Sequence, residues 1–121
     1  MGQFVDLKSA DGFVLPAWVA EPDAPPRGAV VVLQEIFGVN HHIRAVADRF
    51  AARGYLAVAP ATFHRVQPGV ELGYTGDDMQ AGMGLKGAVE ALPAPGVMPD
   101  IQAAIDYAAQ RSGCKVGIVG F

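Results

Sequence analysis

The 121-residue sequence has a single cysteine, Cys114, which excludes a disulfide-stapled scaffold. It has no basic excess: 9 Lys+Arg stand against 12 Asp+Glu, for a formal net charge of -3. A nucleic-acid surface needs a basic balance or a basic stripe, and neither is present. Charged residues make up only 17%, yet no apolar run approaches the ~18 residues of a membrane span. Met1 to Lys8 lacks the basic segment and apolar core of a signal peptide, so the expected setting is the cytoplasm. What the chain does have is apolar content, 51%, enough for a core and too much for disorder. Its length allows one domain at most.

The order of elements is readable from periodicity. Gln3 to Lys8 alternates polar and apolar, Asp11-Gly12 marks a tight turn, and Phe13 to Ala20 reads as a returning strand. Pro22 to Arg27 is a stiff connection. Gly28 to Leu33 is an unbroken β-branched run, the pattern of a strand buried on both faces. Asn40 can cap a helix whose apolar positions are Ile43, Val46, Ala47, Phe50 and Ala51, ending at Gly54. Leu56 to Ala59 is a second buried strand, stopped by Pro60, so residues 28–59 form a βαβ unit. A long loop from Pro60 to Gly76 follows. Asp77 and Asp78 open a helix to about Leu92, weakened by Gly82, Gly84 and Gly87. Pro99 opens another that runs to Gly113, and Lys115 to Val119 is a third buried strand. The implied fold class is α/β: a three-layer, mostly parallel sheet with an N-terminal antiparallel hairpin.

Two segments can carry chemistry. Gln34-Glu35-Ile36-Phe37-Gly38 follows the first buried strand, where open α/β sheets bind ligands. Glu35 there is either an ionisable group of a site or a structural carboxylate that ties down the loop. The second segment is Val116-Gly117-Ile118-Val119-Gly120-Phe121. Gly120-Phe121 would be the first two residues of a G-x-S-x-G nucleophile elbow, with the nucleophile at position 122. The same string could equally open a Rossmann G-x-G-x-x-G loop, which would make the protein a dinucleotide-binding oxidoreductase.

Gln34-Glu35-Ile36-Phe37-Gly38-Val39-Asn40, then His42-Ile43-Arg44, Gly54-Tyr55 and Ala59-Pro60, resemble the dienelactone hydrolase family of the α/β-hydrolase fold. The resemblance runs over essentially all 121 residues. It implies hydrolysis of a carboxylic ester or lactone through an acyl-enzyme, with a nucleophile–His–Asp triad and no cofactor. Glu35 matches the family glutamate that helps activate the nucleophile. The backbone N–H of Ile36 matches one oxyanion-hole donor. The triad would lie beyond Phe121, so residues 1–121 read as the N-terminal portion of a single α/β-hydrolase domain. Such a chain is expected to be inactive alone, with a small-molecule ester or lactone as partner of the complete protein. Two departures stand out. Dienelactone-specific members carry a substrate-carboxylate arginine near the positions of Gly82-Met83, and none is here. Ala61-Thr62-Phe63-His64 replaces a stretch that is commonly more acidic and aliphatic.

The remaining candidates read more plainly. Cys114 precedes the last strand and reads as a small turn residue, not a catalytic thiol. Adjacent His41 and His42 point about 100° apart on a helix, and with His64 in the loop they make no convergent metal set. Arg44, Asp48 and Arg49 read as a solvated helix face. Arg65 could meet a substrate carboxylate or pin its loop near the presumed cleft, although a surface arginine is the plainer reading. Tyr74 could line the same cleft. A third reading of the whole chain is a non-catalytic half-domain that needs a partner, self-associating through an uncovered edge strand.

Overall fold

The computed structural model describes residues 2–121. The elements are β1 (Gln3–Lys8), β2 (Val14–Ala20), β3 (Gly28–Leu33), α1 (His41–Ala52), β4 (Tyr55–Pro60), α2 (Gly76–Glu90), α3 (Met98–Ser112) and β5 (Val116–Gly120). One sheet has the order β1-β2-β4-β3-β5. β1 and β2 form the antiparallel hairpin, and β2 also runs antiparallel to β4. β3 is central and parallel to both β4 and β5.

The β-branched run of β3 explains the layers. Its side chains alternate faces, so Val31 joins the cluster under α3 while Val32 joins the cluster under α1. β4 does the same with Val58 and Ala59. On one side Leu7, Leu15, Ala17 and Leu56 pack with Ala104 and Ala108 of α3. On the other, Ile43 and Val46 of α1 pack on Val32, and Ala47 and Ala51 pack on Ala20 and Ala57. Alanines where helix meets sheet let the backbones approach closely. α2 stands outside these layers, with Gly82 as its one buried residue.

Element edges differ from the sequence reading by a residue or two. Pro60 does not stop β4 but ends it, paired opposite Ala17. Its missing N–H is harmless at that terminal position. α2 starts from Thr75 rather than from Asp77: Thr75 Oγ1 accepts from the Asp78 N–H and Asp78 Oδ2 accepts from the Thr75 N–H, a capping box. β5 begins at Val116, one residue later than expected.

The solvated-face reading is corrected for two residues of α1. Arg44 is partly covered: it donates to the Val39 carbonyl at 2.9 Å, pairs with Glu71 at 2.5 Å, and lies over the rings of Phe4 and Trp18. Asp48 accepts from the Trp18 indole N–H at 2.9 Å. The Arg44–Glu71 and Asp48–Trp18 contacts span 27 and 30 residues, which a one-helix view cannot see. Arg49 is exposed, as expected.

Arg65 is likewise not a plain surface arginine. It makes a two-pronged pair with Asp100, Nε to Oδ2 and Nη2 to Oδ1, both 2.8 Å, and a further pair with Asp11. Asp100 is 1% exposed and also accepts from the Ser9 hydroxyl. The pair thus ties the loop after β4 to the start of α3 and to the β1–β2 turn. Asp100→Asn leaves Arg65 half-paired in a covered site. It should cost about 2–3 kcal/mol, the lower side of a broken buried pair because Asp11 remains. Urea unfolding measures this. The same guanidinium holds the Asp11 carboxyl below its ordinary value of 3.8. A lowered carboxylate stabilises above its unfolded pKa and loses that contribution as pH falls through the folded one. Asp11→Asn should therefore flatten the stability profile only below about pH 4.

Candidate active site

The site is built where β3 and β5 end side by side. Leu33 is paired with Gly120, so the chain leaves both strands at the same level of the sheet. Gln34, Glu35 and Ile36 follow on one strand, and Phe121 follows on the other. The structure therefore brings Glu35 and Ile36 to the sheet edge that carries Gly120 and Phe121. Glu35 is half-buried, and among the described residues its carboxylate makes no ion pair or hydrogen bond. The Phe121 ring stands edge-on to His42, centroids 6.5 Å apart.

The Glu35–Asn40 segment is held from three sides. Gln34 works below it: its Nε2 donates to the Glu35 carbonyl at 3.1 Å and its Oε1 accepts from the Thr62 N–H at 3.1 Å. Residues 70–74 hold it laterally. The Leu72 N–H donates to the Phe37 carbonyl at 2.9 Å, and Gly38 bridges to Glu71. Gly38 has φ +84, and a Cβ there would run into the Val70 carbonyl, so glycine is required twice over. Asn40 is the third support. Its Oδ1 accepts from the Ile43 N–H at 3.2 Å, capping α1, while its Nδ2 donates to the Leu72 carbonyl at 3.0 Å and to Tyr74 Oη at 3.2 Å. Sequence reasoning finds the cap and misses the clamp, because the clamp's partners are over 30 residues away.

Two candidates lie elsewhere. The Arg65 guanidinium is engaged by Asp100 and Asp11, so pinning the loop is what it does here. Tyr74 is exposed, edge-on to Phe37 at 4.6 Å, and serves the Asn40 clamp. A cavity of about 200 Å³ lies behind the Glu35–Asn40 segment, between Phe4, Pro16, Gln34, Phe63 and Val70. Neither Arg65, Tyr74, Glu35 nor Ile36 lines it. Cys114 sits at the opposite end of β5, its Sγ 3.5 Å from the Pro26 carbonyl, far along the strand from Gly120. Among the described residues no cluster of His, Cys, Asp or Glu could hold a metal ion, and no helix is long and apolar enough to cross a membrane.

Comparison with known proteins gives a consistent picture. The family model for the dienelactone hydrolase family matches residues 15–121. A Synechocystis protein is 43% identical over 108 residues, covering 86% of this chain and 43% of its own. The carboxymethylenebutenolidase of Pseudomonas putida is 34% identical over 119 residues, covering 97% of this chain and 50% of its own. A Klebsiella pneumoniae crystal structure described under the dienelactone hydrolase name superposes with a TM-score of 0.77 at 30% identity, over 100% of this chain and 49% of that one. The chain thus spans about half the length of the relatives it matches.

The clamp makes a direct prediction. Asn40→Ala removes a helix cap, a loss of about 1 kcal/mol, together with two long-range donors. The unfolding free energy should fall by about 2–3 kcal/mol in total. Amide exchange at Leu72 should accelerate more than exchange within β3; equal protection at both would mean that Asn40 does no more than cap α1.

Proposed function

Because the chain belongs to the dienelactone hydrolase family, we propose that the full-length protein hydrolyses a carboxylic ester or lactone, and that residues 34–36 and 120–121 form one wall of its active site. The observation that supports this reading is the pairing of Leu33 with Gly120, which sets Gln34-Glu35-Ile36 beside Gly120-Phe121, the segment we read as the start of an elbow.

The reaction is acyl transfer. A Cys or Ser after Phe121 attacks the substrate carbonyl, and its proton passes to a base. Glu35 is suited to take or hold that proton, since it is half-buried at the sheet edge with its carboxylate unengaged. The tetrahedral oxyanion is held by the Ile36 N–H and by the N–H of the residue after the nucleophile. Collapse expels the alcohol and leaves an acyl-enzyme. Water, activated by a histidine from the remainder of the protein, then releases the acid. The greater length of the relatives supports a triad that lies beyond residue 121. No step calls for a cofactor. The dinucleotide-binding alternative gains nothing from the family match, which includes the Gly120-Phe121 segment on which that alternative rested.

Two measurements test the proposal. Reading the coding sequence past codon 121 should show Cys or Ser, any residue, then Gly; Gly followed by x-x-Gly would replace it with a nucleotide-binding loop. In the full-length protein, Glu35→Gln should slow the acylation burst on a p-nitrophenyl ester by about 10²-fold or more. Unchanged acylation would remove Glu35 from the mechanism.

A further inference from the structure

We propose that Gly82 is a positioning residue for the reaction: it lets α2 dock on the backbone of Ile36 and so fixes where the Ile36 N–H points. The inference rests on the reading of that N–H as an oxyanion donor and extends it to a helix that otherwise touches little.

α2 carries three internal glycines, a composition that weakens any helix by roughly 1 kcal/mol each relative to alanine. Two of them, Gly84 and Gly87, face open space, and a Cβ at either would meet nothing within 4 Å. Gly82 is different. A Cβ there would lie 3.1 Å from the Ile36 carbonyl carbon and 3.2 Å from the Ile36 Cβ, and closer still to the carbonyl oxygen. The obstacle is backbone, which cannot swing aside as a flexible side chain can. Gly82 is also the one buried residue of the helix, so this contact is where α2 rests on the rest of the molecule.

The helix cannot easily retreat. Its N-terminus is fixed by the Thr75 capping box, and just before it Leu72 is held by Phe37 and Asn40 and Tyr74 by Asn40. A side chain at position 82 must then be absorbed by the Ile36 segment. Ile36 supplies both the carbonyl that meets Gly82 and the N–H read above as the oxyanion donor, so a displacement of the first moves the second. Oxyanion donors act through fixed placement, and a shift well under 1 Å erodes their effect. The same contact leaves no room for position 82 to send a charged side chain toward the substrate.

Gly82→Ala in the full-length enzyme is the test, read on a p-nitrophenyl ester and on an aryl trifluoromethyl ketone, whose addition product carries the oxyanion. Expected are a kcat lowered by about 10-fold to 10²-fold with KM nearly unchanged, and a parallel loss of ketone affinity. Gly84→Ala should instead raise the Tm and leave kcat alone. If Gly82→Ala lowers only the Tm, with kcat and ketone affinity of the folded enzyme intact, the contact is structural and the proposal fails. If Gly82→Ala does not fold, Thr75→Ala carries the test, because it loosens the start of α2 without touching Ile36. It should lower kcat several-fold at constant KM, and an unchanged kcat would overturn the proposal. A wild-type enzyme without esterase activity would instead refute the hydrolase reading itself.

Discussion

The carboxamide of Asn40 is the joint on which the upper edge of this molecule depends. It is 5% exposed, and a buried amide without partners would be a liability of several kcal/mol. Here one acceptor bond starts α1 and two donor bonds capture the returning chain at Leu72 and Tyr74. The three bonds couple what would otherwise be separate pieces: the segment after β3, the helix on one face of the sheet, and the lead into α2. Arg44, one turn into α1, repeats the connection through Val39 and Glu71. The Ile36 segment is therefore a loop by secondary structure and a fixed element by its bonding.

A second clamp holds the other arm of the long connection between β4 and α2. Arg65 and Asp100 join it to α3, on the sheet face opposite α1. The two clamps differ in kind. The Asn40 joint is neutral and insensitive to salt and pH, whereas the Arg65 pair is ionic and partly reachable by solvent at its Asp11 end. Local loosening by acid should thus begin near the β1–β2 turn and leave the Asn40 joint in place.

How much of this could be read beforehand follows from the range of the interactions. The β3 run, the α1 stripe and the hairpin were legible because their causes lie within a few residues, in β-branching, in 3.6-residue spacing and in Asp11-Gly12. The string from Gln34 to Asn40 is legible as a mark of the family but not as architecture. Nothing local shows that Gln34 reaches Thr62 or that Asn40 reaches Leu72. Nothing local marks Asp100, because its partners Ser9 and Arg65 are 91 and 35 residues away. Gly82 read as a defect of α2 because the helix was judged alone. Its warrant is the Ile36 carbonyl, a backbone atom that no side-chain pattern announces. Arg65 reads in sequence as a surface arginine with a substrate-binding or loop-pinning role as the alternative, and only the three-dimensional arrangement shows two carboxylates already using it.

Trp18 is the chain's single tryptophan, and it is linked through Arg44 to the loop at Glu71. Its indole N–H is held by Asp48, and the Arg44 guanidinium lies 5.6 Å from its ring centre while also gripping Glu71. A cation beside an indole alters its excited state, so the emission of this one fluorophore is coupled to whether the 70–74 segment stays latched. The β2 strand has thereby placed a native optical reporter against the far side of the loop, one that needs no label to register its opening.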